Sequence, residues 1–166
     1  MKSTMEIDKG YHALRREIEA MKKEPYVAVG FQDESGLAQH KGAIAGKPAT
    51  VAEVATFNEF GTRNKDGSVR VPERSFVRAT IDESRRELIS DTGKLFRMMA
   101  QGRMTTAIAL NILGLKIKSL IQKKITDLRE PPNSPRTIAK KKSSNPLIDT
   151  GQMRQSVTHK VKARGD

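Results

Sequence analysis

Apolar positions recur at helical spacing near the start of the chain. Ile7, Tyr11, Leu14, Ile18 and Met21 advance in alternating steps of four and three, which is one face of an α-helix. Glu17, Glu19, Lys22 and Lys23 fall off that face, and Pro25 ends it. Tyr26-Val27-Ala28-Val29-Gly30-Phe31 is a run of β-formers and predicts a strand. Residues 32–49 hold three glycines and a proline and predict an exposed loop, or a hairpin with an irregular return. A loop of that length in a small domain is more often functional than idle.

Thr50-Val51-Ala52-Glu53 has the spacing of a capping box and predicts a short helix through Val54, Ala55, Asn58 and Glu59, with Gly61 as its C-terminal cap. Asp66-Gly67 signals a turn, and Ser68-Val69-Arg70-Val71 follows as a strand. After Pro72, a helix is expected from about Glu73 to Ala100 on Phe76, Ile81, Leu88, Leu95, Met98 and Met99, with a break near Thr92-Gly93. A last long helix is predicted from about Met104 to Leu128. Ile108, Ile112, Leu115, Leu120 and Ile125 carry its period, and Leu113, Ile117 and Ile121 widen the stripe. Pro131 and Pro132 forbid its continuation. Residues 131–146 read as a loop with room for one helical turn at 137–141, and the alternation from Ser156 to Val161 reads as a strand. The pattern predicts an α+β fold, a small, mostly antiparallel sheet packed against helices, with extended loops and a C-terminal arm.

Composition narrows this further. With 166 residues the chain is expected to form one domain over 1–166, of which 131–166 is a basic loop and C-terminal strand arm. Only 36% of residues are apolar and Trp is absent, so the core must be small and built from Ile, Leu, Val, Met and Ala. A core that lean is often completed by neighbouring subunits. The absence of Cys excludes disulfides, Cys-based zinc sites and Cys nucleophiles, and it fits a reducing compartment. Charges stand where a signal peptide needs an apolar run, and the weakly polar stretch 105–115 is about half the length that spans a bilayer. A soluble, non-secreted protein without membrane contact is expected.

The net charge of +12 is unevenly spread. Residues 1–60 hold 8 basic and 9 acidic residues, 61–100 hold 9 and 6, and 101–166 hold 14 and 4, so the nets are −1, +3 and +10. A basic half of this kind attracts DNA, RNA or an acidic protein surface.

Catalytic patterns are lacking. His12, His40 and His159 fall in separate predicted elements, without metal-ligand spacing. Asp149-Thr150-Gly151 repeats the tripeptide of aspartic proteases, but that fold needs two such motifs on a strand-rich frame, and helices dominate here. The glycines of 30–46 form neither a dinucleotide fingerprint nor a P-loop. Lys140-Lys141-Lys142 can meet phosphate, although no aromatic residues are interleaved to stack bases. No enzyme activity, cofactor or metal is expected.

Two phrases resemble a known family. Asn58-Glu59-Phe60-Gly61-Thr62 followed by Val71-Pro72-Glu73-Arg74-Ser75-Phe76-Val77-Arg78 is similar to the "N-E-F/Y-G-T … I-P-x-R-P/S-F-L/I-R" signature of small tailed-bacteriophage morphogenesis proteins, the neck, head–tail joining and tail-completion proteins. Pro135-x-Thr137-Ile138-x-x-Lys141, then Pro146-Leu147-Ile148-Asp149-Thr150-Gly151-x-Met153-x-x-Ser156-Val157, resembles their "P-x-T-I-x-x-K … P-L-I-D-T-G-x-L-x-x-S-I". Order and spacing agree over about residues 50–161. Val71, Ser75 and Met153 depart from the commoner Ile, Pro and Leu.

The resemblance implies a structural virion protein, assembled in the host cytoplasm. It would form a homo-oligomeric ring at the neck, sixfold or else twelvefold, between portal-side connector and tail proteins and around the DNA passage. Arg74, Phe76, Leu147, Ile148 and Asp149 are then expected at subunit or partner contacts. Lys140, Lys141 and Lys142 are expected to face DNA without reading its sequence. Loop 32–49, the 62–71 turn and the C-terminal arm are the expected ring contacts. The competing reading is a sequence-nonspecific nucleic-acid-binding protein with a basic C-terminal half.

Overall fold

A computed structural model describes residues 10–40 and 48–164. Helix α1 (Tyr11–Met21) realises the first apolar stripe, with Leu14 and Met21 half-buried and Tyr11 and Ile18 exposed; Ile7 lies outside the described residues. Strand β1 (Tyr26–Gly30) follows Pro25 as the β-formers predict.

The expected loop 32–49 is only partly a loop. A short helix, α2 (Asp33–Leu37), opens it, and 41–47 lie outside the described residues. Gly36 counted as a loop signal, yet it is a packing glycine. A Cβ there would stand 2.6 Å from the carbonyl oxygen of Phe31, so the helix can fold back on the end of β1 only because that atom is missing. Ser35 Oγ fixes the turn by donating to Gln32 O (2.8 Å) and Ser156 O (3.1 Å).

Helix α3 (Val51–Phe60) begins with the predicted capping box. Thr50 Oγ1 accepts from Glu53 N (3.2 Å) and Glu53 Oε2 accepts from Thr50 N (2.7 Å). It ends at Gly61, whose φ of +68° and close approach to Val71 O and Glu73 N (both 2.9 Å from a built Cβ) require glycine. Strands β2 (Thr62–Arg63) and β3 (Val69–Val71) form the antiparallel hairpin that Asp66-Gly67 predicts, with the Asp66 carboxylate accepting from Ser68 N (2.9 Å).

Helix α4 (Arg78–Ala100) starts about five residues later than the sequence predicts, because the N–H groups of residues 74 and 76–78 are taken by α3. The expected break near Thr92-Gly93 is absent. Thr92 Oγ1 donates back to Leu88 O (2.7 Å), and Gly93 keeps helical backbone with open space beside it. Helix α5 (Thr106–Asp127), helix α6 (Pro135–Lys141, capped by Ser134 Oγ), a short α7 (Gln152–Gln155) that the alternation did not signal, and β4 (Thr158–Lys162) complete the chain. Strand β4 pairs with β1. The fold is α+β, and among the described residues its strands form two separate two-stranded sheets rather than one. Among the described residues no helix is long and apolar enough to cross a membrane.

The described residues cluster into two units. One takes in α1, the later part of α4 and the earlier part of α5; there the Glu17 carboxylate accepts from Thr106 N (2.6 Å) at the start of α5, and Met99 and Ala109 are buried. The other holds the main core of Ala49, Val51, Val54, Ala55, Phe76, Ile121, Ile125, Leu147, Met153 and Val157. Phe31 meets Phe76 edge-on at 6.1 Å between ring centroids.

Two glycines should respond in opposite directions. Gly93→Ala, in an open helix interior, should stabilise by about 0.5–1 kcal/mol. Gly61→Ala should destabilise by about 2 kcal/mol or more, since it adds both a clash and a left-handed side chain. Urea midpoints for the two variants decide this, and a helix broken at Gly93 would gain nothing from Ala.

Candidate functional site

Helix α4 carries no acidic residue in its first turn, so its N-terminal N–H groups need acceptors from elsewhere. Glu59, near the end of α3 and only 4% exposed, supplies them. Its carboxylate accepts from the backbone N–H of Phe76 (2.8 Å), Val77 (2.9 Å) and Arg78 (3.0 Å), from Ser75 Oγ (2.9 Å) and from Arg78 Nε (3.0 Å). Burial is the largest single influence on its pKa and acts to raise it. The hydrogen bonds from Val77, Arg78 and Phe76 and from the Arg78 side chain together outweigh burial, and the carboxyl titrates below its ordinary 4.5. Arg78 also donates to Glu73 (2.6 Å) and stacks 4.7 Å from the Phe60 ring centroid.

Arg74 performs the matching task for the C-terminal stretch. It is 4% exposed and has no carboxylate in reach among the described residues; its donors go to neutral oxygens. Nε donates to Pro131 O (2.8 Å), Nη2 to Pro132 O (3.0 Å) and Asn133 Oδ1 (3.1 Å), and Nη1 to Asn58 Oδ1 (3.3 Å). Burial draws its pKa down from the usual arginine value. Further on, Asn145 Oδ1 accepts from Leu147 N (3.0 Å) and Ile148 N (3.1 Å), while its Nδ2 donates to Thr126 O (2.9 Å). The first phrase is thus hydrogen-bonded to itself through Glu59 and to residues 131–133 through Arg74, and it meets the second phrase in the core, where Phe76 and Leu147 are both buried.

This places the expected contact residues. Phe76 and Leu147 are core side chains, Arg74 is consumed by the 131–133 backbone, and Ile148 is half-buried against the core. These four side chains are occupied within their own chain, Phe76 and Leu147 in its core and Arg74 on its backbone oxygens. Asp149 is exposed. The three lysines differ. Lys140 and Lys142 are exposed, but Lys141 is half-buried and donates to Asn145 O (3.3 Å) and Pro146 O (3.2 Å). Burial pushes the pKa of Lys141 down, the Asp149 charge works upward and Arg74 downward, for a net lowering. Sequence reasoning missed Glu59 and Asn145; with the helix expected to start at Glu73, an acid of its own stood at its first turn and no outside acceptor was called for.

Beside this body lies a cleft of about 940 Å3. Val54 and Phe57 of α3, Pro72, Leu147 and Met153 give it apolar lining; Arg70 of β3 and Arg136 and Lys140 of α6 give it charge, and Asp149 is its one acidic lining residue. Among the described residues, no group of three or more His, Cys, Asp or Glu side chains could hold a metal ion. The arrangement suits recognition of an anionic, partly apolar surface. Comparison with protein families, with curated proteins and with solved structures gave no match.

Because its folded-state pKa is lowered, ionised Glu59 stabilises the fold fully above about pH 4.5, and that contribution disappears as pH falls through the folded value. Glu59→Gln should cost about 1–3 kcal/mol at pH 7. It should also flatten the stability curve below pH 4.5. Urea midpoints from pH 3 to 7 test both, and an acid limb identical to wild type would count against the role.

Proposed function

We propose that the chain is a structural virion protein of a tailed bacteriophage, forming a homo-oligomeric ring at the neck that joins or completes head and tail and surrounds the DNA passage. The support is the resemblance of the two phrases around Glu59–Arg78 and Pro135–Val157, together with where those phrases lie. Phe76 of the first phrase and Leu147, Met153 and Val157 of the second share one core, and Arg74 holds the 131–133 backbone that leads into the second phrase. A likeness confined to scattered surface residues would carry little; here it falls on the residues that set the fold.

The surface agrees with an assembling protein. Tyr11, Leu37, Phe60, Ile89, Phe96 and Ile108 each leave more than half of their area exposed. Helix α5 carries apolar residues on its exposed side at Ile108, Ile112 and Leu115, besides Ile121 and Ile125 on its covered side. Exposed apolar residues at this spacing on the first half of a helix suit a contact with another chain.

Purified protein, alone or with its neck partners, should form closed rings in negative-stain images, sixfold or else twelvefold. A chain that stays monomeric in every condition and is missing from virions would overturn the reading. For DNA in the lumen, the exposed Lys142 is the residue to change, because Lys141 is held by its own carbonyls and Lys140 lines the cleft. Lys142→Ser should weaken DNA binding equally for all sequences and lower the salt slope by about one. A sequence-dependent loss would favour a nucleic-acid-reading protein instead.

A further inference from the structure

Arg70, Arg136 and Lys140 all line the 940 Å3 cleft, are exposed, and have no carboxylate partner among the described residues. Other cations do have carboxylate partners, as in Lys22 with Glu19 (2.6 Å), Lys94 with Asp91 (3.0 Å) and Lys124 with Glu83 (2.6 Å). Three unpaired positive charges around an apolar floor form a recess that is complementary to an acidic side chain next to an apolar one.

The same chain displays such a projection. In α2, Glu34 is exposed, and Leu37 is 73% exposed, the most exposed large hydrophobic residue among those described. The two are three positions apart on a helix and so share a face. The projection is held from behind by Ser35 Oγ on Gln32 O and Ser156 O and by the close seat of Gly36 on Phe31. A rigid projection loses little freedom on docking. Resting on the ring reading above, we propose that the cleft receives α2 of a neighbouring copy, with Leu37 on the apolar floor and Glu34 among Arg70, Arg136 and Lys140. Projection and recess are different patches of one chain, so the contact is heterologous, the type that repeats around an axis to close a ring.

Charge reversal on the full chain tests this by mass photometry. One variant is Glu34→Lys, which sets a positive side chain on the face of Leu37 against a positive recess. The other is Arg136→Glu with Lys140→Glu, whose projection and recess are both negative. Each alone should assemble at least tenfold more weakly than wild type. An equimolar mixture should recover assembly, because each projection then meets a recess of opposite sign. Leu37→Ala, which alters no charge, should weaken assembly too. All the substituted side chains are exposed, and circular dichroism should report unchanged helix content. If wild type forms rings and both charge variants form them equally well, this contact is wrong while the ring reading stands. If reversing the recess removes only DNA binding, the cleft belongs to nucleic acid and the contact is wrong as well. A wild type that never assembles overturns both.

Discussion

The buried carboxylate of Glu59 is the constraint on which the second unit depends. A long helix needs acceptors for its first N–H groups, and α4 has no acidic residue in its first turn. By supplying them from α3, Glu59 fixes where α4 begins, how α3 and α4 meet, and where Phe76 enters the core. The surrounding requirements follow from that junction. Gly61 must be glycine because the chain passes so close to residues 71 and 73, and Pro72 leads directly into the segment that Glu59 holds. The carboxylate is costly to bury, and it remains ionised only because several donors converge on it.

Much of this was legible in the sequence, for identifiable reasons. The capping box at Thr50 and Glu53, the turn at Asp66-Gly67 and the apolar stripes of α1 and α5 are local signals, and the local chemistry decides them. The errors came where long-range packing overrides a local cue. Gly36 and Gly93 look alike in sequence. One is a packing site against Phe31 and the other an unremarkable helix position, and only the third dimension separates them. Arg74 and Phe76 stand in a recognisable phrase, but what each touches within the chain cannot be read from it. Their partners, 57 to 59 positions away for Arg74, are invisible to any periodicity.

The candidate cleft was still less legible, because it draws on α3, β3, α6 and the stretch 146–153 at once. The run of three lysines drew attention to α6, but the members turned out to be unequal. Lys141 is a structural donor to two carbonyls, while Lys140 joins Arg70 and Arg136, which no sequence pattern connects to it. Charge that looks continuous along the chain is thus divided in space between a scaffold role and a surface role.

The two anchors of this region also differ in what can loosen them. Glu59 holds α4 by a negative charge, which protons remove. Arg74 holds the 131–133 backbone through oxygens that carry no charge, and a guanidinium does not titrate in the usable range. Neither acid nor added salt has a charge pair to attack there. The fold should therefore come apart in a set order as the solution is acidified, first at the opening turn of α4 and only later where the C-terminal stretch is fastened.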